Sequence, residues 1–205
     1  LTARVVYADE ALIALDKPAG LLAVPGRGAD KQDCLAARVQ ALYPDACVVH
    51  RLDMATSGLL LMARGPHAQR QLGIAFAQRR VRKRYVAVVE GVVPDPEGEI
   101  DLPLGPDWPQ RPRQRVDTTH GKPSLTRYRV LSVDHTLRRT RLSLEPVTGR
   151  SHQLRVHLLA IGHRIVGDTL YGAPPHDRLL LHASELTLEH PVSGATVGLE
   201  SEVPF

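Results

Sequence analysis

The spacing of apolar positions changes several times along this chain, and each change marks an element. Residues 4–8 (Arg-Val-Val-Tyr-Ala) and 12–16 (Leu-Ile-Ala-Leu-Asp) are β-rich runs on either side of Asp9-Glu10-Ala11, which predicts two short strands joined by a turn. Lys17-Pro18-Ala19-Gly20 ends the second strand, because proline donates nothing to a ladder and glycine opens a turn. Leu35, Val39 and Leu42 recur at helical spacing behind Asp33 as N-cap and ahead of Pro44, so residues 33–43 read as a short helix. Val48 to Asp53 and Gly58 to Ala63 read as strand, tight loop and strand. Pro66 opens a helix running to about Arg79, with Leu72, Ile74, Ala75 and Phe76 inward.

Tyr85 to Glu90 is a β-rich run closed by Gly91, and residues 92–123, dense in Pro, Gly and Arg, predict loops and short strands. Strand patterns return at Leu125 to Val133 and Thr140 to Leu144. His152 to Ile161 is helical and stopped by Gly162, with Ser151 or Thr148 as possible cap. Leu179 to Ala183 and Leu186 to Glu189 close the series as strands. A strand-heavy order with few helices predicts an α+β fold built on a mixed, mostly antiparallel sheet, and residues 1–205 read as a single domain.

Composition narrows the partners. Of 205 residues 43% are hydrophobic but only 4% aromatic, so the core must be built from Leu, Val and Ala. No run approaches the roughly 18 apolar residues of a membrane span. No signal-peptide pattern appears, and Cys34 and Cys47 lack zinc spacing, so free thiols in a reducing cytoplasm are expected. The net charge of +4 is modest, but its distribution is not. Arg79-Arg80-Val81-Arg82-Lys83-Arg84, Arg111-Pro112-Arg113-Gln114-Arg115 and Arg138-Arg139-Thr140-Arg141 contain no acid. Three unneutralised clusters point to a polyanion. With so few aromatics, base stacking is not expected to be the main mode of binding.

Three segments carry candidate chemistry. Asp53, in His50-Arg51-Leu52-Asp53-Met54-Ala55-Thr56-Ser57-Gly58, sits beside an arginine before a buried run; it is either a turn residue or a reactive carboxylate. Tyr85 heads an apolar strand just after a basic run, as a core tyrosine or as a ring that stacks on a base and moves a proton. Thr148 to His157 crowds Arg150, His152, Gln153, Arg155 and His157 around a helix start. A buried Arg155 needs an ionised partner. His152 and His157, five residues apart, do not share a helical face, and no metal motif, Walker loop, G-x-G-x-x-G or G-x-S-x-G occurs, so neither metal nor cofactor is expected.

Five stretches, in order along nearly the whole chain, resemble the RluA family of pseudouridine synthases: Asp16-Lys17-Pro18-Ala19-Gly20, the His50 to Gly58 segment, Lys83-Arg84-Tyr85-Val86-Ala87, Thr148 to His157, and Gly167-Asp168-Thr169-Leu170-Tyr171-Gly172. The first has Asp where the family has Asn. The resemblance implies a catalytic domain without the S4-type RNA-binding domain of many members. It implies a cytoplasmic monomer that needs no cofactor. Val24-Pro25-Gly26-Arg27 and Asp107 to Pro112 narrow it to the branch acting on stem-loops of 23S rRNA and on the tRNA anticodon arm. By position, Asp53 is the catalytic aspartate, attacking at the base or at C1′. Tyr85 stacks on the uracil and assists proton removal, Arg155 pairs with Asp53, and Arg51 fills the stack when the uridine flips out. His50, Arg150, Gln153 and the apolar Leu181 are expected to line the substrate, and Arg79, Arg80, Arg82 and Lys83 to meet phosphates. Two other classes remain: a noncatalytic RNA-binding or ribosome-assembly protein on the same fold, which needs no carboxylate facing RNA, and a glycosidase using paired carboxylates, with Glu145 as second acid. No second acid accompanies Asp53 in its segment.

Overall fold

The run Ser57–Arg64 is apolar on both faces because it is the strand around which others assemble. The computed structural model describes residues 3–205, so Leu1 and Thr2 of the expected domain lie outside it. In chain order the elements are β1 (Arg4–Ala8), β2 (Leu12–Lys17), α1 (Leu35–Gln40), β3 (Ala46–Val48), β4 (Ser57–Arg64), α2 (Gly65–Ala77), β5 (Arg82–Glu90) and β6 (Glu97–Asp101). There follow β7 (Leu104–Pro106), β8 (Gln114–Val116), β9 (Leu125–Asp134), β10 (Arg139–Pro146), α3 (Gln153–Ala160), β11 (Leu181–Glu189) and β12 (Thr196–Glu200). They sort into two compact units, one running to Lys83 and including His182–Pro204, the other Arg84–Leu181 with Phe205.

In the first unit β4 pairs antiparallel with β2 along one edge. Its other edge is shared, parallel with β11 at Ser57 and Gly58 and antiparallel with β3 from Met62 to Arg64. β1 extends β2, and β12 extends β11. The sheet is mixed and mostly antiparallel, as expected from the pattern. Its core joins Leu12, Ala14, Leu59, Leu61 and Ala63 to Ala68, Leu72 and Ala75 of α2, and to Leu186, Leu188 and Leu199. Asp9 closes the first turn by accepting from the backbone N–H of Ala11 and Leu12.

The second unit is antiparallel: β6 pairs with β9, β9 with β10, and β10 with β5, with Tyr85 opposite Leu144. A separate hairpin, β7–β8, packs near α3, where Leu104, Val156 and Tyr171 form a small core.

Several boundaries differ from the pattern reading. Helix α1 is capped by Cys34, whose Sγ accepts from Ala37 N–H at 3.4 Å; Asp33 instead binds Arg38, and Leu42 is exposed. The strand expected at Val48–Asp53 ends at Val48, and the chain to Thr56 is loop. Ile74 faces solvent at 36%, since Ala68, Leu72 and Ala75 already make the inward row at i, i+4 and i+7. Helix α3 has neither Ser151 nor Thr148 as cap: His152, left-handed at φ 53°, precedes it, and Thr148 spends its hydroxyl on Gln153. The two last runs are one strand, β11, because Glu185 falls on an outward position of an otherwise regular alternation.

Candidate functional site

Asp53 stands in the loop that enters β4, and its surroundings within the first unit fix that loop firmly. Leu52 is buried and anchors it, Arg51 is exposed, and Asp53 is half-buried. A turn closes behind the acid, with Thr56 N–H donating to the Asp53 carbonyl at 3.1 Å. The Met54 carbonyl accepts from Gly20 N–H at 2.8 Å and from Lys17 Nζ at 3.1 Å. Lys17 is completely buried at the end of β2, and its ammonium also donates to the Pro18 and Leu21 carbonyls at 2.9 and 2.7 Å. A buried ammonium is tolerable here because backbone oxygens replace its water. Lys17 thus ties the turn after β2 to the residue next to Asp53. The pattern marked it only as a strand end; a lysine closing an apolar strand before Pro-Ala-Gly, whose carbonyls lack ladder partners, was the available signal.

Downstream, Gly58 (φ +107°) lies against β11 so closely that a Cβ would meet the Ala183 carbonyl oxygen at 2.3 Å and its nitrogen at 2.6 Å. Only glycine fits both the angle and the space. Ser57 Oγ lies 2.8 Å from His182 Nδ1, and His182 Nε2 lies 3.0 Å from Ser201 Oγ, all three buried. The Ser57 hydroxyl is therefore spent on the framework.

His50 belongs to the same framework. Its Nε2 accepts from Leu61 N–H at 2.8 Å, and its ring stacks on Phe76 at 4.6 Å between centroids. Burial, reinforced by the Lys83 charge, pushes its pKa down to about 3, so the ring is neutral. The substrate contact expected of His50 is therefore not made through Nε2, which β4 already occupies. Lys83 is itself held below the ordinary lysine range, by burial and then by the Arg79 charge. Arg80 is not unneutralised: Glu189, 109 positions further on, binds it at 3.0 Å in an exposed pair.

In the second unit Tyr85 is half-buried on β5. Arg155, on α3, is buried and binds Asp168 with two nitrogens, at 2.8 and 2.6 Å, the pair being 6% and 2% exposed. Asp168, which the sequence marks only as part of a motif, is thus an ionised partner of the kind a buried Arg155 needs. Tyr171 stands beside the pair, its ring centroid 5.0 Å from the Arg155 guanidinium carbon and its hydroxyl 2.8 Å from His152 Nδ1.

Gln153 is committed in the same way. Its carbonyl accepts from Thr148 Oγ and Arg150 N–H, and its amide donates to the Leu125 carbonyl and Thr126 Oγ. All four positions of the amide are used inside the protein, and none remains for RNA. His157, fully buried between Thr126 Oγ and the Leu102 carbonyl, has its pKa lowered chiefly by burial. Arg150 is exposed, with Nε 3.4 Å from the Pro123 carbonyl, and Leu181 is buried at 3%.

With that geometry in place, comparison with known proteins identifies the framework. The profile of the family described as RNA pseudouridylate synthase matches residues 11–160. The chain is 51% identical over 194 residues to the dual-specificity RNA pseudouridine synthase RluA of Vibrio cholerae, covering 92% of this chain and 78% of that protein. It is 46% identical over 205 residues to the protein of that name from Yersinia pestis, covering 98% and 99%. Among solved structures, human RNA pseudouridylate synthase domain containing 1 superposes with a TM-score of 0.83 at 28% identity, covering 100% of this chain and 84% of that one.

Proposed function

Because the chain belongs to the RNA pseudouridylate synthase family, and is thus an enzyme that converts uridine to pseudouridine in RNA, we propose that it is a dual-specificity member, modifying stem-loops of both 23S rRNA and the tRNA anticodon arm. The supporting observation is the Asp53 loop, a half-buried acid between buried Leu52 and a Met54 carbonyl tied to Lys17 and Gly20.

The reaction is an isomerisation. The N1–C1′ bond breaks, the detached uracil turns, a C5–C1′ bond forms, C5 loses its proton, and N1 gains one. No net oxidation occurs and no group leaves. The chemistry requires a nucleophile, a water-poor place for the freed base and a weak base for the C5 proton. Asp53 is the nucleophile, attacking either the base or C1′. Tyr85 supplies the stacking ring and a phenolic oxygen for the proton. Arg155 supplies a cation for the reacting carboxylate, and Asp168 fixes its guanidinium. Arg51, exposed two residues before Asp53, occupies the gap in the RNA stack once the uridine has flipped out. His50 and Gln153 position their loops rather than touch RNA.

The same reading makes the protein a cytoplasmic monomer; no helix of the described residues is long and apolar enough to cross a membrane. Tritium release from C5-labelled uridine, measured separately on rRNA and tRNA transcripts, tests the function. Release from both, with chains and bases intact, supports dual specificity. Release from one reduces it to a single-substrate enzyme, and release from neither overturns the reading.

A further inference from the structure

The segment 107–116 contributes nothing to the chemistry above, yet it carries the single tryptophan of the chain and three arginines. Trp108 opens a one-turn 3-10 helix, Trp108–Gln110, and is 64% exposed. The guanidinium carbon of Arg111 lies 3.7 Å from its ring centroid. That cation covers part of the indole, and most of the rest stands in water, where a large apolar side chain is costly.

Beside it, wholly within the second unit, is an open cleft of about 170 Å³. Val116, Val156, Leu159 and Tyr171 contribute apolar lining, and Arg113 and Arg115 contribute positive charge. The cleft is smaller than the ~300 Å³ of sites for drug-sized ligands, and suits one planar ring. Its wall is fixed: the Tyr171 hydroxyl accepts from Gln114 N–H at 2.9 Å, and the Arg113 guanidinium lies 5.3 Å from the Tyr171 centroid. Arg113 Nε is sequestered from solvent without a hydrogen-bond partner among the described residues, although Nη1 reaches Gln110. Asp107 also lines the cleft, and Arg115 is 3.8 Å from Asp117, so the charge is not uniformly positive.

An exposed indole, an apolar ring-sized cleft and arginines on one short segment match the chemistry of unpaired RNA: faces that stack, and phosphates between them. Every nucleotide of RNA carries both groups, so the indole and the arginines are used together. Resting on the RNA-modifying function, we propose that this segment is a second RNA subsite, which holds an unpaired stretch outside the target uridine. One base stacks on Trp108, the adjacent base seats in the cleft, and Arg113 and Arg115 hold the backbone phosphate. Asp107 accepts a hydrogen bond from an exocyclic amino group.

The sole tryptophan makes the test direct, because its emission reports this site in the unmodified chain. Titration with a substrate stem-loop should quench Trp108 saturably, along the binding curve, and lower its accessibility to acrylamide. Base stacking corresponds to an affinity effect of about 5- to 150-fold, so Trp108→Ala should weaken RNA binding at least about fivefold and Trp108→Phe should recover most of that loss. Turnover at saturating RNA should stay within about twofold of the parent, as expected for a residue that binds RNA away from the reacting atoms. Replacing each non-target unpaired nucleotide with an abasic one should reveal a position whose loss weakens the parent but not the Trp108→Ala protein. Unchanged emission and acrylamide access at saturating RNA would overturn the subsite, as would abasic losses that simply add to that of Trp108→Ala. In either case, tritium release that persists leaves the enzymatic function standing. Absent release with a quenched Trp108 would instead remove the function and keep the binding site.

Discussion

The nucleophilic role proposed for Asp53 requires a carboxylate that is both held and reactive, and its loop divides those tasks between residues. Lys17, Leu52 and Gly58 hold the chain; Asp53 and Arg51 face outward by different degrees. Asp53→Asn changes one atom and should abolish turnover while leaving RNA affinity within several-fold. Residual turnover above about one part in a thousand in single-turnover assays would argue against nucleophilic attack, since losing an essential nucleophile generally costs more. The Arg155–Asp168 pair poses a different problem, because both charges are desolvated. Asp168→Asn removes a bidentate countercharge from a buried guanidinium, at a cost of up to roughly 3–5 kcal/mol. In a chain of this size that corresponds to a melting temperature lower by up to roughly 6–20 °C. Calorimetry checks this, and a fall below about 2 °C would mean that Asp168 is dispensable for holding Arg155.

At the scale of elements, β4 depends on groups that must remain neutral. His50 accepts a hydrogen bond from β4 through Nε2, so a proton on that nitrogen breaks the contact. Its folded pKa of about 3 lies below the ordinary 6.5, and His157 is shifted in the same direction. The unfolded chain therefore binds more protons below pH ~6.5, and the stability these residues contribute, intact above that value, erodes as pH falls toward the folded pKa. Asp9 adds to the erosion only lower down. Burial alone would raise its carboxyl, but hydrogen bonds from Tyr7, Ala11, Leu12 and His190 outweigh it and set the pKa at about 2. Between about pH 6 and 4.5 the slope of unfolding free energy against pH should therefore be dominated by histidine. His50→Gln, which keeps an acceptor for Leu61 without titrating, should lower that slope by about one proton, or about 1.4 kcal/mol per pH unit at most. Denaturant unfolding across this range decides it, and an unchanged slope would show that His50 carries a proton in the folded state.

For the whole molecule, affinity for RNA rests on charge while selectivity rests on shape. Arg79, Arg80 and Arg82 lie in the longest basic run, yet they are not equivalent, because Arg80 is already paired with Glu189. An exposed pair is worth about 0–1 kcal/mol, weak enough for a phosphate to displace the carboxylate. Neutralising all three should weaken binding to every RNA alike and flatten the slope of log K against log salt by about 0.7 to 0.9 for each phosphate that the protein no longer neutralises. The slope for Arg80→Gln alone should change less than that for Arg82→Gln. If the triple variant keeps the parent slope, this run lies away from RNA.

Most strands and helices, the mixed sheet and the basic clusters were legible in the sequence, because each depends on local periodicity or on a contiguous run of residues; β12, a short strand that pairs with β11, was not. The partners of polar side chains were not. Arg155 and Asp168 are 13 residues apart, Ser57 and His182 are 125 apart, and Arg80 and Glu189 are 109 apart, so no local pattern links them. His50 and Gln153 show the consequence. In a line of sequence each is a polar residue beside a catalytic motif, available to RNA. Folding places Leu61 against one and Thr148, Leu125 and Thr126 around the other, and a buried polar group must satisfy the partners it is packed against before it can serve a ligand. The sequence by itself determined which residues could carry the chemistry; the tertiary structure decided which of them the fold uses for its own support, because hydrogen-bonding capacity is finite and burial decides where it is spent.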